Sequence, residues 1–313
     1  MSSLTVPRAR EYHDADFDVT ELASDGATYA LRAADIMCRR GPLADAESYS
    51  AQGNTTAWDA FYRRNGGAFF KHRHFMLEAF PELRSVLLDR GSETSPSRIL
   101  ELGCGNGSNV FSLAAADSSG TRSRIIATDA SEEALRSVAA HPDFESVAER
   151  VSLMHWDIVA TGPCGAVTRG GVDAVLHDAS MDAVLCTFML SALPPAVHSI
   201  ALANAVRLLR PGALFCFRDY GRLDMAQLRA PDANIITAEL HRRGDGTLAY
   251  YFTVEELRAL FGAVGLEVLQ LRHATVKRVN RKKGVTMRRV WIHAVCCRRS
   301  TRSSSTSNGT AAM

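Results

Sequence analysis

Three glycines and two acids stand where their chemistry could matter. In Arg98-Ile-Leu-Glu-Leu-Gly-Cys-Gly-Asn-Gly107 an apolar run ends in Gly103, Gly105 and Gly107, with Glu101 just before them. Such glycines let the backbone turn sharply and leave room for a ligand at the carboxyl end of a strand. Asp129 ends a second apolar run, Ile125-Ile126-Ala127-Thr128, where a carboxylate would accept hydrogen bonds from a ribose diol. The pattern predicts a pocket for an adenosine-bearing cofactor.

The spacing narrows which cofactor. A nicotinamide site places its glycines G-x-G-x-x-G so that a pyrophosphate sits on a helix N-terminus. Here the order is G-x-G-x-G, and Glu101 would repel a pyrophosphate. A cation such as S-adenosylmethionine, with a sulfonium and an ammonium group, suits that acid.

These residues need a frame. Apolar runs predict strands at 98–102, 124–129, 151–156, 182–188 and 213–218, and periodicity predicts helices at 108–116, 131–140, 196–209 and 253–264. Alternating strands and helices imply a parallel sheet covered on both faces, wound in two directions. Glu267–Val279 and Met287–Cys297, joined around Asn280–Gly284, read as a closing hairpin, a feature usual for S-adenosylmethionine methyltransferases. The stretch from Asp219 to Tyr251 exceeds an ordinary loop, and long loops are often functional. Trp58 and Tyr62 lie one turn apart on a predicted helix and present one aromatic face.

Composition sets bounds. The 313 residues carry a net charge of +2, yet Val268–Met313 holds eleven Lys and Arg and no Asp or Glu. A basic end on an otherwise acidic chain implies a polyanionic partner; the plainer alternative is an edge strand guarded by charge. Seven cysteines form no C-x-x-C pair, and no spacing fits a metal site, so no metal is expected. No apolar run is long enough to span a bilayer, and the N-terminal region lacks a secretory run while Asp14, Asp16, Asp18 and Glu21 argue against a mitochondrial leader. The expected location is the cytoplasm, with the nucleus as the alternative.

Several blocks together resemble a known family. They are Ala57-Trp-Asp-Ala-Phe-Tyr-Arg-Arg-Asn65, Phe69-Phe-Lys-His-Arg-His-Phe75, Phe80-Pro-Glu-Leu83, Glu101–Gly107, Phe188-Met-Leu-Ser-Ala192, Leu209-Arg-Pro-Gly212 and Phe217-Arg-Asp-Tyr-Gly-Arg222. Asp224–Leu228, Gly244–Phe252, Val279-Asn-Arg281 and Val290-Trp-Ile292 complete the series. In this order they are similar to the methyltransferase-like tRNA N3-cytidine methyltransferases, which modify cytidine 32 of the anticodon loop. The resemblance covers roughly 54–297. His72 stands where the family usually has Asp, and Phe75 where it usually has Trp.

The resemblance implies a class I methyltransferase: an α/β, seven-stranded doubly wound sheet with an N-terminal helical cap. It implies that Trp58, Tyr62, Gly103, Asp129, Asp157, Ile158 and Thr187 contact S-adenosylmethionine, and Gly105 joins them from the glycine loop. Domain boundaries are expected at 1–43 (a flexible segment), 44–90 (helical cap and RNA-binding region), 91–299 (methyltransferase domain) and 300–313 (a disordered tail). Arg218, Asp219 and Tyr220 are the catalytic candidates, Asp219 by bonding the exocyclic amine of cytosine so that the methylated, cationic ring is stabilised. Lys71, Arg73, Arg222, Arg281, Lys282 and Lys283 are candidate RNA contacts. The expected partner is the tRNA anticodon stem-loop, with an aminoacyl-tRNA synthetase as a candidate adaptor. Two other readings stay open: a methyltransferase for a protein or small molecule, which would bind no RNA, and a non-catalytic RNA-binding adaptor, which would bind no cofactor.

Overall fold

The computed structural model describes residues 12–40, 51–66, 76–92, 94–160, 167–169, 176–280 and 284–300. Helices α1 (Ala23–Arg40), α2 (Ala51–Asn65), α3 (Met76–Ala79) and α4 (Pro81–Ser85) precede the first strand. Then come β1 (Ser97–Leu102), α5 (Ser108–Ala116), β2 (Ser123–Asp129), α6 (Glu132–Ala139), β3 (Val151–His155), β4 (Val167–Arg169) and β5 (Met181–Thr187). The chain continues through α7 (His198–Leu208), β6 (Leu209–Tyr220), α8 (Met225–Leu228), β7 (Leu240–Arg242), β8 (Leu248–Tyr250), α9 (Val254–Ala263), β9 (Leu266–Asn280) and β10 (Val285–Arg298).

The main sheet runs β4-β3-β2-β1-β5-β6-β10-β9. The seven expected strands are all present, and β4, three residues long and antiparallel to β3, adds an eighth at the edge. Strands β1, β2, β3, β5 and β6 pair in parallel, while β10 pairs antiparallel with β6 and β9. The chain builds outward from β1 in one direction and then returns to build from β5 in the other. Ligands bind at such a reversal, outside the carboxyl ends of the strands.

Alternation along each strand divides the apolar residues between two cores. Ile99, Ile125, Ala183 and Cys216 pack with α4, α5 and α6, while Leu100, Ile126, Val184 and Phe215 pack with α7 and α9. Both faces are covered, so the parallel strands are apolar throughout. Two caps fix helix entries: Ser131 accepts from Ala134 N–H, and Thr253 with Glu256 forms a reciprocal capping box at α9.

The N-terminal segment departs from expectation. Tyr12–Arg40 is built into the fold rather than flexible. Ala15 bridges Thr275 in parallel, Asp16 N–H donates to Thr275 O at 2.9 Å and Thr275 N–H donates to Asp14 O at 2.7 Å. This covers part of the β9 edge, which otherwise would present unpaired backbone groups. Tyr29 of α1 is buried, and its hydroxyl lies 2.9 Å from Ala238 O and 2.7 Å from His241 Nε2. Acidic composition concealed these anchors because each partner lies more than 200 residues away. Within the expected helical cap the chain is interrupted after α3. Pro81 starts α4 and Val86–Arg90 forms a single π-helical turn.

Candidate functional site

The glycine loop follows β1 at the point where the sheet reverses. Gly105 has φ +55°, and a Cβ there would stand 2.7 Å from the Tyr62 hydroxyl. Gly107, at φ +77°, caps α5, and a Cβ there would meet Phe111 at 2.9 Å and Val138 at 3.0 Å. Both positions demand glycine for conformation and for space. Asp129 locks the loop in place. One carboxylate oxygen accepts from Gly105 N–H and the other from Ser131 N–H, both at 2.9 Å. Burial pushes this acid up to about 6 despite those bonds. Each oxygen retains a lone pair for a ligand hydroxyl.

Beneath the loop, Asn109 Nδ2 donates to Glu101 Oε1 and to Thr187 Oγ1, each at 2.8 Å. Two strands and a helix thereby meet in one polar cluster, with Glu101 buried. The opposite wall is α2. Trp58, Phe61 and Tyr62 form an aromatic cluster with centroid separations of 5.3–5.9 Å. The helix is tied down by Ser131 Oγ to Asp59 Oδ1 and by Asn54 Nδ2 to Ala192 O, both 2.6 Å.

Between these walls lies a groove with two lobes. One, about 700 Å³, is lined by Thr128, Asp129, Trp156, Asp157, Ile158 and Met189 among others. The second, about 460 Å³, is lined by Glu101, Gly105, Asn106, Asn109 and Thr187 among others. Trp58, Tyr62, Gly103 and Phe188 border both. All eight sequence-predicted cofactor residues therefore line one groove. Among the described residues, buried polar atoms of its lining such as Asn54 Oδ1, Trp58 Nε1, Asn109 Oδ1 and Trp156 Nε1 have no hydrogen-bond partner. Buried polar atoms are rarely left so, and a polar ligand would satisfy them. Acceptors and acids in one lobe, and an acid with apolar rings in the other, fit the two halves of S-adenosylmethionine.

Beside the groove is an aromatic crevice. Phe188, held at φ +54°, lies 5.0 Å from Tyr220 and 5.4 Å from Trp291. Tyr251 lies 5.8 Å from Tyr220. The guanidinium carbons of Arg243 and Arg289 approach the Tyr220 ring at 5.4 and 5.6 Å. Sequence reading missed Asn54, Asn109, Trp156, Arg243 and Arg289. Asn109 alone was legible, as a polar residue on the first turn after a glycine loop.

The three catalytic candidates separate. Arg218 is 1% exposed and lines neither lobe. Its Nη2 lies 2.8 Å from Asp14 and 3.1 Å from His293 Nδ1, with the rings of Tyr12, Phe80 and Trp291 around it. Its contacts are with the N-terminal segment and the rings around it, not with the groove. Asp219 is fully buried, accepting from Ser191 N–H at 2.9 Å and Tyr220 N–H at 2.8 Å. Burial lifts it to about 6. It lines neither lobe and is sealed from solvent, which does not fit the expected bond to a cytosine amine. It braces the Met189–Ala192 turn on the groove wall. Tyr220 does face the crevice.

Of the RNA candidates, Arg222 is paired with Glu239 at 2.9 Å. Lys71, Arg73, Arg281, Lys282 and Lys283 lie outside the described residues. Among the described residues no three His, Cys, Asp or Glu side chains gather as metal ligands, and no helix is long and apolar enough to cross a membrane. Cys104, inside the loop, is buried with its thiol pushed well up by desolvation, as befits a packing residue.

Comparison with known proteins agrees with this geometry. A methyltransferase-domain family matches residues 71–271. The chain is 38% identical to the Schizosaccharomyces pombe tRNA N(3)-methylcytidine methyltransferase trm140, over 76% of this chain and 72% of that one. It is 32% identical to the Saccharomyces cerevisiae tRNA(Thr) (cytosine(32)-N(3))-methyltransferase, over 76% of this chain and 36% of that one. In fold it is similar to the Burkholderia thailandensis 1,6-didemethyltoxoflavin-N1-methyltransferase solved with S-adenosylhomocysteine, at TM-score 0.51 and 17% identity, covering 83% of this chain and 93% of that chain. A reversed sheet, a glycine loop pinned by Asp129 and this degree of identity lead to one conclusion: the chain belongs to the family of tRNA N(3)-cytidine methyltransferases.

Proposed function

We propose that this protein transfers a methyl group from S-adenosylmethionine to N3 of a cytidine in tRNA, at position 32 of the anticodon loop. The observation that carries the reading is the junction at Phe188, which borders both lobes of the groove and contacts the tilted Tyr220 ring in the crevice. A flat ring seated there lies beside the cofactor groove. The relatives' activities support cytidine as that ring and tRNA as its carrier.

When bound, S-adenosylmethionine supplies an electrophilic methyl group on a cationic sulfur. Glu101, Asn109 and Thr187 would hold its amino acid half, Asp129 its ribose, and Trp156, Asp157 and Ile158 its adenine. Cytosine N3 has a free lone pair, so the protein needs no general base; its contribution is alignment and exclusion of water. N3 lies on the Watson–Crick edge, so the base must be unpaired or extruded to react. Loop nucleotides meet that need at low cost, and aromatic rings such as Phe188 and Tyr220 can hold the extruded base. Methylation leaves the ring positively charged, which an aromatic face tolerates well. Assignment of position 32, and of an aminoacyl-tRNA synthetase as adaptor, is part of the same proposal.

The test is to incubate purified protein with total tRNA and labelled cofactor, with and without a synthetase fraction, and to identify the labelled nucleoside by mass spectrometry. The expected product is 3-methylcytidine within the anticodon loop. Label appearing only in protein or a small molecule, or cofactor binding with no labelled RNA, would overturn the reading.

A further inference from the structure

Arg243 and Arg289 approach the Tyr220 ring, and Arg222 follows that tyrosine by two residues. Arg289 Nε lies 3.0 and 2.9 Å from the two carboxylate oxygens of Asp224, and Arg222 is paired with Glu239. Arg243 differs: among the described residues it has no carboxylate within ion-pair distance, and its side-chain nitrogen has only a long contact of 3.4 Å to Thr247 Oγ1. Its guanidinium sits over the Tyr220 ring and is half-buried.

Its backbone is held rigidly. Arg243 N–H donates to Thr247 O at 2.8 Å, Gly246 N–H donates to Arg243 O at 2.9 Å, and Asp245 Oδ1 accepts from both the N–H and the hydroxyl of Thr247 at 3.0 and 2.7 Å. This turn joins β7 to β8. Gly246 lies close to α2, with 3.7 Å between the position of an added Cβ and the Ala57 Cβ. The turn therefore stands between the helix that walls the cofactor groove and the Tyr220 ring. A cation is held over the Tyr220 ring, desolvated on one face by it, with no carboxylate in ion-pair contact among the described residues and the buried Asp219 acting on it only at longer range.

Resting on the function proposed above, we propose that Arg243 anchors the phosphodiester adjoining the extruded cytidine. A planar guanidinium matches two phosphate oxygens and cannot lose its proton. Nucleotide extrusion rotates the backbone, and a fixed cation at the crevice mouth would hold the rotated phosphate. The bases would then be read in the crevice while Arg243 sets their depth.

The test measures binding of a short anticodon stem-loop RNA across a salt series, with S-adenosylhomocysteine present. Wild type is compared with Arg243→Met and Arg243→Lys, and intact RNA with RNA bearing a neutral methylphosphonate on either side of the target cytidine. Calorimetric binding of S-adenosylhomocysteine verifies that each variant is folded. Arg243→Met is expected to weaken RNA binding about tenfold and to lower the salt slope by about 0.7. Arg243→Lys should retain the slope while losing part of the affinity. One methylphosphonate should weaken wild type and leave Arg243→Met unaffected. Equal affinity and slope for wild type and Arg243→Met would overturn the assignment, as would additive losses from variant and methylphosphonate. A wild type that binds the stem-loop in this way yet forms no 3-methylcytidine would keep the phosphate site and reject the proposed reaction. A wild type with no affinity for the RNA would overturn both.

Discussion

The cofactor groove and the aromatic crevice share Phe188 but are assembled in opposite ways. The glycine-loop wall of the groove is made of neighbours in sequence: Glu101 to Asn109 supplies it, and Asp129 with Ser131 fastens it through backbone N–H groups, while α2 and the ends of β3 and β5 complete the lining. The crevice draws on Phe188, Tyr220, Arg243, Tyr251, Arg289 and Trp291, which converge only because β10 returns to pair with β6 and places Trp291 opposite Tyr220. A nucleotide cofactor presents the same atoms to every enzyme and can be met by a local motif. An acceptor base must be enclosed, and enclosure requires parts from different edges of the sheet.

Two buried acids repeat the contrast. Asp129 and Asp219 are both lifted to about 6 by burial and both accept two backbone N–H bonds. One lines the groove and the other is sealed behind it. Similar chemistry therefore serves binding in one case and bracing in the other.

The sharpest way to break this contrast is Asp129→Ala, which removes the loop's fastening together with the ribose acceptor. Calorimetry should show cofactor affinity falling by about 3 kcal/mol, roughly two orders of magnitude. Retention of wild-type affinity would mean that the glycine loop stands without its acid. On the crevice side, Tyr220→Ala should raise KM for tRNA by about 2 kcal/mol equivalent through loss of stacking, while cofactor affinity stays unchanged. A loss of both would show that the two regions are one unit.

Asp219 offers a subtler separation. Between its ordinary value of 3.8 and about 6, the folded chain holds a proton that the unfolded chain has released. Its contribution to stability is therefore present at low pH and falls as pH rises through that window. In Asp219→Asn this component vanishes, so the unfolding free energy of wild type relative to the variant, from urea titrations, should decline from pH 4 to pH 6 by on the order of 1 kcal/mol. A difference independent of pH would show that Asp219 does not ionise in that range. The smallest effect belongs to Arg63→Ala. Its pair with Glu133 at 3.2 Å lies on the outer side of α2, with Arg63 68% exposed. Cofactor affinity should stay within about twofold of wild type by calorimetry.

Much of this protein was legible in its sequence. Helix α5 occupies the predicted 108–116, the apolar runs became the seven long strands, and the G-x-G-x-G loop lies at the sheet reversal. Periodicity and glycine spacing are local properties, and local backbone physics decides them. Phe217-Arg-Asp-Tyr-Gly-Arg222 was legible as a motif but not as a set of roles. Its consecutive side chains go to different places: Arg218 to Asp14, Asp219 to the turn behind the groove, Tyr220 to the crevice.

Composition misread the N-terminal segment for a related reason. Asp14 resembles one acid among several until Arg218 and Arg272 close on it from β6 and β9. What the sequence determined by itself was the cofactor half: a strand, a glycine turn and an acid at the next strand tip, each set by neighbours in the chain. What only the tertiary structure decided was which surroundings each residue of β6 meets and that Arg243, among the described residues, has no carboxylate in ion-pair contact. Those outcomes depend on strand register and on segments folded back from far along the chain, and neither is encoded in the spacing of nearby residues.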